Sequence, residues 1–347
     1  AAWESGEKRP TFKQAERLAG KLHVPFGYLF LPEAPHEDIP LPDLRTLPDT
    51  EPGGFSAEFR DLIQDVQYKL SWYRDYLREV GADPPPFVGR FDMEANTETV
   101  ARDIRETLGI DALRAERASE EAYLTSLFDR CEETGVWVMR LGYVGSNNNR
   151  TLNVQEFRGF AIADAMCPVV VVNSRDAKAA QAFTLAHELA HIWLGQSGVS
   201  NATLTQPEDT AAVERRCNAI AAEVLVPRER IDAAWRRAEP IHENVRRLRP
   251  RFRVSGVALA RRAADRGFVA WDDYLAFHRE EERAWAKQRE SDGGNFHTTA
   301  RTRQGSLFSQ AVMARALSGD LPLREAGRLL DMKPATVIEH AKRRMGG

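Results

Sequence analysis

Apolar positions recur every three or four residues through most of the chain, which predicts a largely helical protein. Ala15, Leu18, Ala19 and Leu22 mark a helix within 11–31, with Thr11 placed to cap it. Phe55, Phe59, Leu62, Val66, Leu70, Tyr73 and Leu77 keep the same spacing and predict one long amphipathic helix over 55–80, stopped by Gly81 and Pro84-Pro85-Pro86. Two further helices are expected around 94–108 and 119–134, closed by Gly109 and Gly135. The period then changes. Val136–Met139, Phe157–Ala163 and Val169–Val172 are short, partly β-branched apolar runs separated by turn residues such as Gly145-Ser146-Asn147-Asn148-Asn149. They predict three strands of a small sheet. Helices resume near Ala177 and run, with breaks, to the end. The expected fold class is α+β, mostly helical, with a three-stranded or larger sheet and helical modules at both ends.

Pro32, Pro35, Pro40, Pro42, Pro48 and Pro52, ending in Gly53-Gly54, break the helical pattern and predict an extended linker over 35–54. Five segments follow from these shifts: 1–34, the linker, a central domain 55–268, a charged connecting helix 269–296, and a basic helical module 297–347.

Composition narrows the function classes. With 43% apolar residues over 347 positions, a sizeable core and two to three domains are expected. The balance of 48 Lys+Arg against 51 Asp+Glu excludes a protein that holds nucleic acid by overall charge, so any such contact needs a local patch. No apolar run is long enough to predict a membrane span, and the N-terminus lacks the basic-then-apolar pattern of a signal peptide. Cys131, Cys167 and Cys217 are widely spaced with no C-x-x-C pair, which points to a reducing, cytoplasmic setting.

The candidate chemistry follows the Val-rich strand. His187-Glu188-Leu189-Ala190-His191 places two imidazoles one turn apart on one helix face, where both reach a single metal ion. Glu188 lies beside that face as candidate general base. A third ligand must come from elsewhere. The next helix is expected to start in a capping box at Thr205-Gln206-Pro207-Glu208 and to run to Pro227. Val213, Cys217, Ile220 and Val224 form its apolar stripe, and Glu214 sits on the stripe's edge, a costly place for a carboxylate unless paired or metal-bound. Glu214 is therefore the candidate ligand, with Glu223 and Asp209 as competitors; Glu223 projects about 180° from Glu214.

The pair AHELAHIWLG and ERRCNAIAAEVLVP resembles the ImmA/IrrE family of zinc metallopeptidases, whose second motif reads roughly E-x-x-A-N-x-F-A-x-x-L-L-M-P. Glu214, Asn218, Ala221, Leu225 and Pro227 fall in register; Cys217, Ile220, Val224 and Val226 are apolar replacements at packing positions. PLPDLRT (41–47) and VSGVALARR (254–262) are also similar to family stretches. The resemblance implies His187, His191 and Glu214 as ligands of Zn2+ (or Mn2+ or another divalent ion), Glu188 as base, and Asn218 in an outer contact. It also implies a substrate paired along Val169, Val170, Val171 and Val172, and an endopeptidase that cleaves a helix-turn-helix repressor or similar regulator under stress such as DNA damage. The alternative class is a non-proteolytic, antitoxin-like DNA-binding regulator that uses the peptidase fold as sensor or scaffold beside a cognate toxin. His242 and Tyr143 are candidates for stabilising the oxyanion.

Two end segments complete the picture. Trp3-Glu4 and Gly6, then Pro10-Thr11 and LAGKLHVPFGYLF, are similar to the closing half of an Xre-type helix-turn-helix, whose groove-reading helix would precede Ala1. LPLREAGRLLDMKPATVIEHAKRR (321–344) is similar to a helix-turn-helix pair with Ala326, Leu329, Leu330, Val337 and Ile338 as core. Its Arg324, Arg328, Lys333, Lys342, Arg343 and Arg344 are candidate phosphate contacts.

Overall fold

The computed structural model describes residues 3, 5–22, 24–33, 55–116, 119–200, 212–289 and 303–345. The expected linker, 35–54, lies outside the described residues. Near the N-terminus stand α1 (Phe12–Leu22) and a 3-10 turn at Phe26–Phe30. One helix and a turn do not make a helix-turn-helix, so the N-terminal resemblance stays an expectation.

The α+β architecture is as anticipated, with one strand more than the hydropathy pattern gives. The four-stranded mixed sheet, β1 (Trp137–Leu141), β2 (Gly159–Ile162), β3 (Val169–Asn173) and β4 (Gly198–Ser200), has the order β1-β3-β2-β4. β1 runs parallel to β3 (Val138 opposite Val170), and β2 runs antiparallel to β3 (Phe160 opposite Val171) and to β4 (Phe160 opposite Val199). The unbroken valine run of β3 reflects a strand buried on both faces, where alternation of polar and apolar residues has no purpose. The order corrects one expectation: β3 is paired on both sides, so Val169, Val170, Val171 and Val172 have no free edge to offer a peptide.

Each sheet face carries its own core. Val169 and Val171 pack with Phe160, Trp137 and Met139 against α2 (Ala57–Glu79), whose Phe59, Leu62, Val66, Leu70 and Tyr73 are buried as its spacing predicts, with Ile63 buried beside them. Ser56 caps α2 by accepting from Phe59 N at 3.1 Å. The C-terminal helices α12 (Ser306–Ser318), α13 (Leu323–Leu329) and α14 (Pro334–Met345) join this core. Phe308 stacks on Trp137 (ring centroids 4.6 Å apart), and Trp137 Nε1 donates to Gln304 O at 2.7 Å. The fully buried Lys69 bridges Asp65 (2.5 Å) and Asp331 (2.9 Å), tying α2 to the segment between α13 and α14.

The opposite face packs Val170, Val172, Val138 and Ala161 against α6 (Lys178–Trp193). α3 (Thr97–Thr107), α4 (Ile110–Glu116), α5 (Glu120–Glu133), α7 (Ala212–Leu225), α8 (Arg228–Ala234), α9 (Ile241–Phe252), α10 (Gly256–Asp265) and α11 (Trp271–Arg289) complete this core. Gly195, at φ 65°, ends α6 beside Gly89, and a Cβ there would come within 3.1 Å of the Gly89 backbone. Phe87 lies flat on Trp193, whose Nε1 donates to Asp103 at 2.7 Å.

Candidate metal centre

Every residue from Gln181 to Leu194 is buried, so α6 is a helix enclosed on all sides. Its His187, Glu188 and His191 are fully buried polar groups in an apolar layer, a placement that requires partners. α7 supplies them. Glu214 Oε1 lies 3.0 Å from His191 Nε2, Glu214 Oε2 lies 3.2 Å from His187 Nε2, and the two Nε2 atoms are 3.1 Å apart. One turn along α7, Asn218 Oδ1 accepts from His187 Nδ1 at 2.9 Å. Two residues spaced by four on α7 thus grip both nitrogens of one imidazole: Asn218 holds a proton on Nδ1 and leaves Nε2 as the nitrogen that faces Glu214. His191 Nδ1 is buried without a hydrogen-bond partner among the described residues.

α7 is itself held at its C-terminus. Arg105 donates to Glu223 O at 3.1 Å and Arg114 to Val224 O at 3.1 Å, placing positive charge against the carbonyl end of the helix. Glu223 accepts from Arg228 N at 2.9 Å and pairs with Arg262, so it stands away from the imidazoles. Asp209 and the expected capping box lie outside the described residues. Cys217 is packed in the core, and burial pushes its thiol well up.

Charge is distributed unevenly across the three groups. Burial alone would raise the Glu214 carboxyl, but the imidazoles beside it, His187 first, hold it down to about 2. Burial depresses His187, and the adjoining Glu214 charge overcomes it and raises that imidazole above its ordinary value. At His191 burial wins, and its value falls. The Glu214 charge thus favours a proton on His187 over one on His191.

Among the described residues, His187, His191 and Glu214 form the one group of three or more metal-ligating side chains whose donor atoms converge, all within 4.8 Å of one another. A tetrahedral site with metal–ligand bonds of about 2.0–2.1 Å has edges of about 3.3 Å. The donor separations of 3.0–3.2 Å come within a few tenths of that, so two nitrogens and a carboxylate fit a divalent ion.

Glu188 Oε1 lies against the sheet. A Cβ built on Gly159 would stand 2.8 Å from Glu188 Oε1 and 2.6 Å from Thr184 Cγ2, so the start of β2 passes against the carboxylate. Gly159 pairs with Ser200, which puts β4 one strand, about 4.8 Å, further out. Among the described residues no strand pairs with the outer side of β4. Gly159 and Gly198–Ser200 are the parts of this site that sequence reasoning missed; an isolated glycine opening a strand was the available signal of a close approach.

The remaining candidates sit elsewhere. His242 bonds Glu280 at 2.9 Å and Tyr143 lies under the Arg303 guanidinium (4.0 Å), so neither of these contacts involves the imidazoles. Arg324 and Lys333 are exposed, Arg328 covers Tyr68 at 4.1 Å, and 342–344 lie in α14, all in the module on the other sheet face. A cavity of about 240 Å³ borders Asn218 and Phe183 and is lined by Arg215, Arg261 and Asp265.

In comparisons with known proteins, residues 131–264 match the family model described as Peptidase_M78, IrrE N-terminal-like domain, a metallopeptidase family. Residues 304–343 match a domain of unknown function, DUF8813. No curated protein and no solved structure matches the chain. No helix among the described residues is long and apolar enough to cross a membrane.

Proposed function

We propose that this chain, whose residues 131–264 match the Peptidase_M78 family model, is a zinc-dependent endopeptidase in which His187, His191 and Glu214 hold the ion and Glu188 is the general base. The convergence of the two imidazoles and the Glu214 carboxylate carries the reading, with Glu188 the next residue after His187 on α6. A zinc ion held there would supply Lewis-acid polarisation of the scissile carbonyl.

The chain's own groups do the rest. Asn218 orients His187, and Glu214 closes the ligand set from the second helix. Glu188 removes a proton from the water that attacks the carbonyl carbon and passes it to the departing amine nitrogen, so one amide bond and one water yield a carboxylate and an amine. β4, with its outer edge open among the described residues, is the strand that an extended substrate joins by backbone hydrogen bonds, in the role expected of Val169–Val172. The burial of Glu188 and both histidines keeps bulk water from the proton transfers.

The substrate is a helix-turn-helix repressor or similar regulator, cut in a stress or DNA-damage response in the cytoplasm; the family resemblance of both motifs supports this assignment. Mass spectrometry of the regulators encoded beside its gene, after incubation with zinc-loaded protein, tests it. New termini that vanish with chelator are expected. Intact regulators alongside cleavage of other polypeptides would remove that substrate class.

A further inference from the structure

The C-terminal helices carry a second geometry, independent of the peptidase reading. α13 and α14 are joined by Leu330–Lys333, and Asp331 within that turn adopts φ 53°, a left-handed conformation that a residue with a side chain rarely takes. Met332 N donates to Gly327 O at 2.8 Å. A Cβ on Gly327 would lie 2.7 Å from Met332 O and 3.4 Å from Pro334 N, so the turn crosses directly over α13 and leaves room for glycine alone. Pro334 opens α14 at a position where a missing N–H costs nothing. Ala326, Leu329, Leu330 and Val337 are buried with Phe308 and Val312 of α12, completing a three-helix unit. A short helix, a tight turn and a longer second helix packed on a third is the arrangement of a helix-turn-helix.

The outward sector of α14 has no partner among the described residues. Ala335, Thr336 and Glu339 are exposed. Charge is sorted across the unit. Asp331 is taken up by Lys69, Asp320 and Arg315 pair with each other, Arg303 donates to Gly145 O, and Arg328 lies over Tyr68. Arg324 and Lys333 are exposed beside Glu325 and Glu339, and the sequence of the last turns of α14 adds Lys342, Arg343 and Arg344.

We infer that α14 is the recognition helix of a DNA-binding unit, its outward face seated in the major groove of duplex DNA and Arg324 and Lys333 on flanking phosphates. The groove, about 12 Å wide, admits one helix, and residues near the helix start reach base edges. The buried Lys69–Asp331 pair fixes this unit to α2, on the sheet face opposite the metal centre, so duplex and peptide are held at separate surfaces.

The test is fluorescence anisotropy of the full chain with a labelled mixed-sequence duplex of about 24 bp, titrated between about 50 and 200 mM salt. Wild type is expected to bind with a steep inverse salt dependence. Arg324→Glu/Lys333→Glu should weaken binding at least tenfold and flatten the log–log salt slope by about 1.8, two phosphates at about 0.9 each. Lys342→Ala/Arg343→Ala should also weaken it, while Arg246→Glu/Arg251→Glu, exposed on α9, should leave it unchanged. Thermal melts matching wild type establish that each variant is folded. No binding at low salt, binding indifferent to the α13–α14 substitutions, or binding lost only through the α9 arginines would overturn the inference; the first result would make the face a protein-docking surface instead.

Discussion

His191 Nε2 and Glu214 Oε1 stand 3.0 Å apart although 23 residues and a change of helix separate them. The second oxygen of the same carboxylate reaches His187 Nε2 at 3.2 Å. Glu214→Gln keeps the volume and removes the charge. It should lower metal affinity by more than the roughly 10–100-fold that loss of an outer partner costs, read by competition with a chromophoric chelator. Unchanged affinity would place the third ligand elsewhere.

In the proposed centre Asn218 acts on the ion through the His187 ring. Asn218→Ala leaves His187 Nδ1 without its acceptor and frees the ring to turn. Metal affinity or activity should fall about 10–100-fold, and Asn218→Asp, which can still accept, should recover most of it.

The centre also sets a pH dependence. His187 titrates above its ordinary value because Glu214 faces it, and the proton it holds must leave before Nε2 can bind a metal. Affinity is therefore full above the His187 value and falls as pH drops through it. Metal titrations at pH 8 and pH 6 should give markedly weaker binding at the lower pH in wild type. Equal affinity at both would show that His187 binds no proton in competition with the ion.

At Gly159 the sheet meets Glu188, the proposed general base. The added methyl of Gly159→Ala would press on Glu188 Oε1, on Thr184 Cγ2, and on Val171 O at 3.0 Å, a backbone atom with little freedom to yield. Overpacking of this kind costs about 1–3 kcal/mol. The variant should bind metal normally and lose most of its peptidase turnover; full activity would mean that Glu188 has more space than this packing allows.

How much of this was legible in the sequence depends on the range of each relationship. The histidine pair was readable because its geometry is one helical turn, and Glu214 because its sector on α7 follows from the same periodicity. Strand order was not: the valines of β3 advertise a buried strand, but whether its edge is free depends on β2 and β1, which pair on either side of it. β4 has only three residues and no period to detect. The Lys69–Asp331 pair spans 262 residues, and on a helical wheel Lys69 reads as one more polar position of α2. That pair and Trp137 bring the C-terminal helices into the α2 core, which their basic composition did not announce.

The same pair yields a stability prediction. Lys69 is fully buried, and Lys69→Met leaves Asp65 and Asp331 with an uncompensated charge, a loss of about 3–5 kcal/mol in urea unfolding. Adding Asp65→Asn and Asp331→Asn should return much of it. If Lys69→Met alone were neutral, the pair would not be what holds α13 and α14 to α2.

The most direct test of the metallopeptidase account is a side-by-side measurement of zinc content and substrate cleavage for wild type and Glu188→Gln. In the proposed mechanism Glu188 contributes the proton transfer while His187, His191 and Glu214 hold the ion. The variant should therefore keep wild-type zinc occupancy and lose cleavage by about 10²–10⁴-fold. A fully zinc-loaded Glu188→Gln protein that cleaves at the wild-type rate would contradict it.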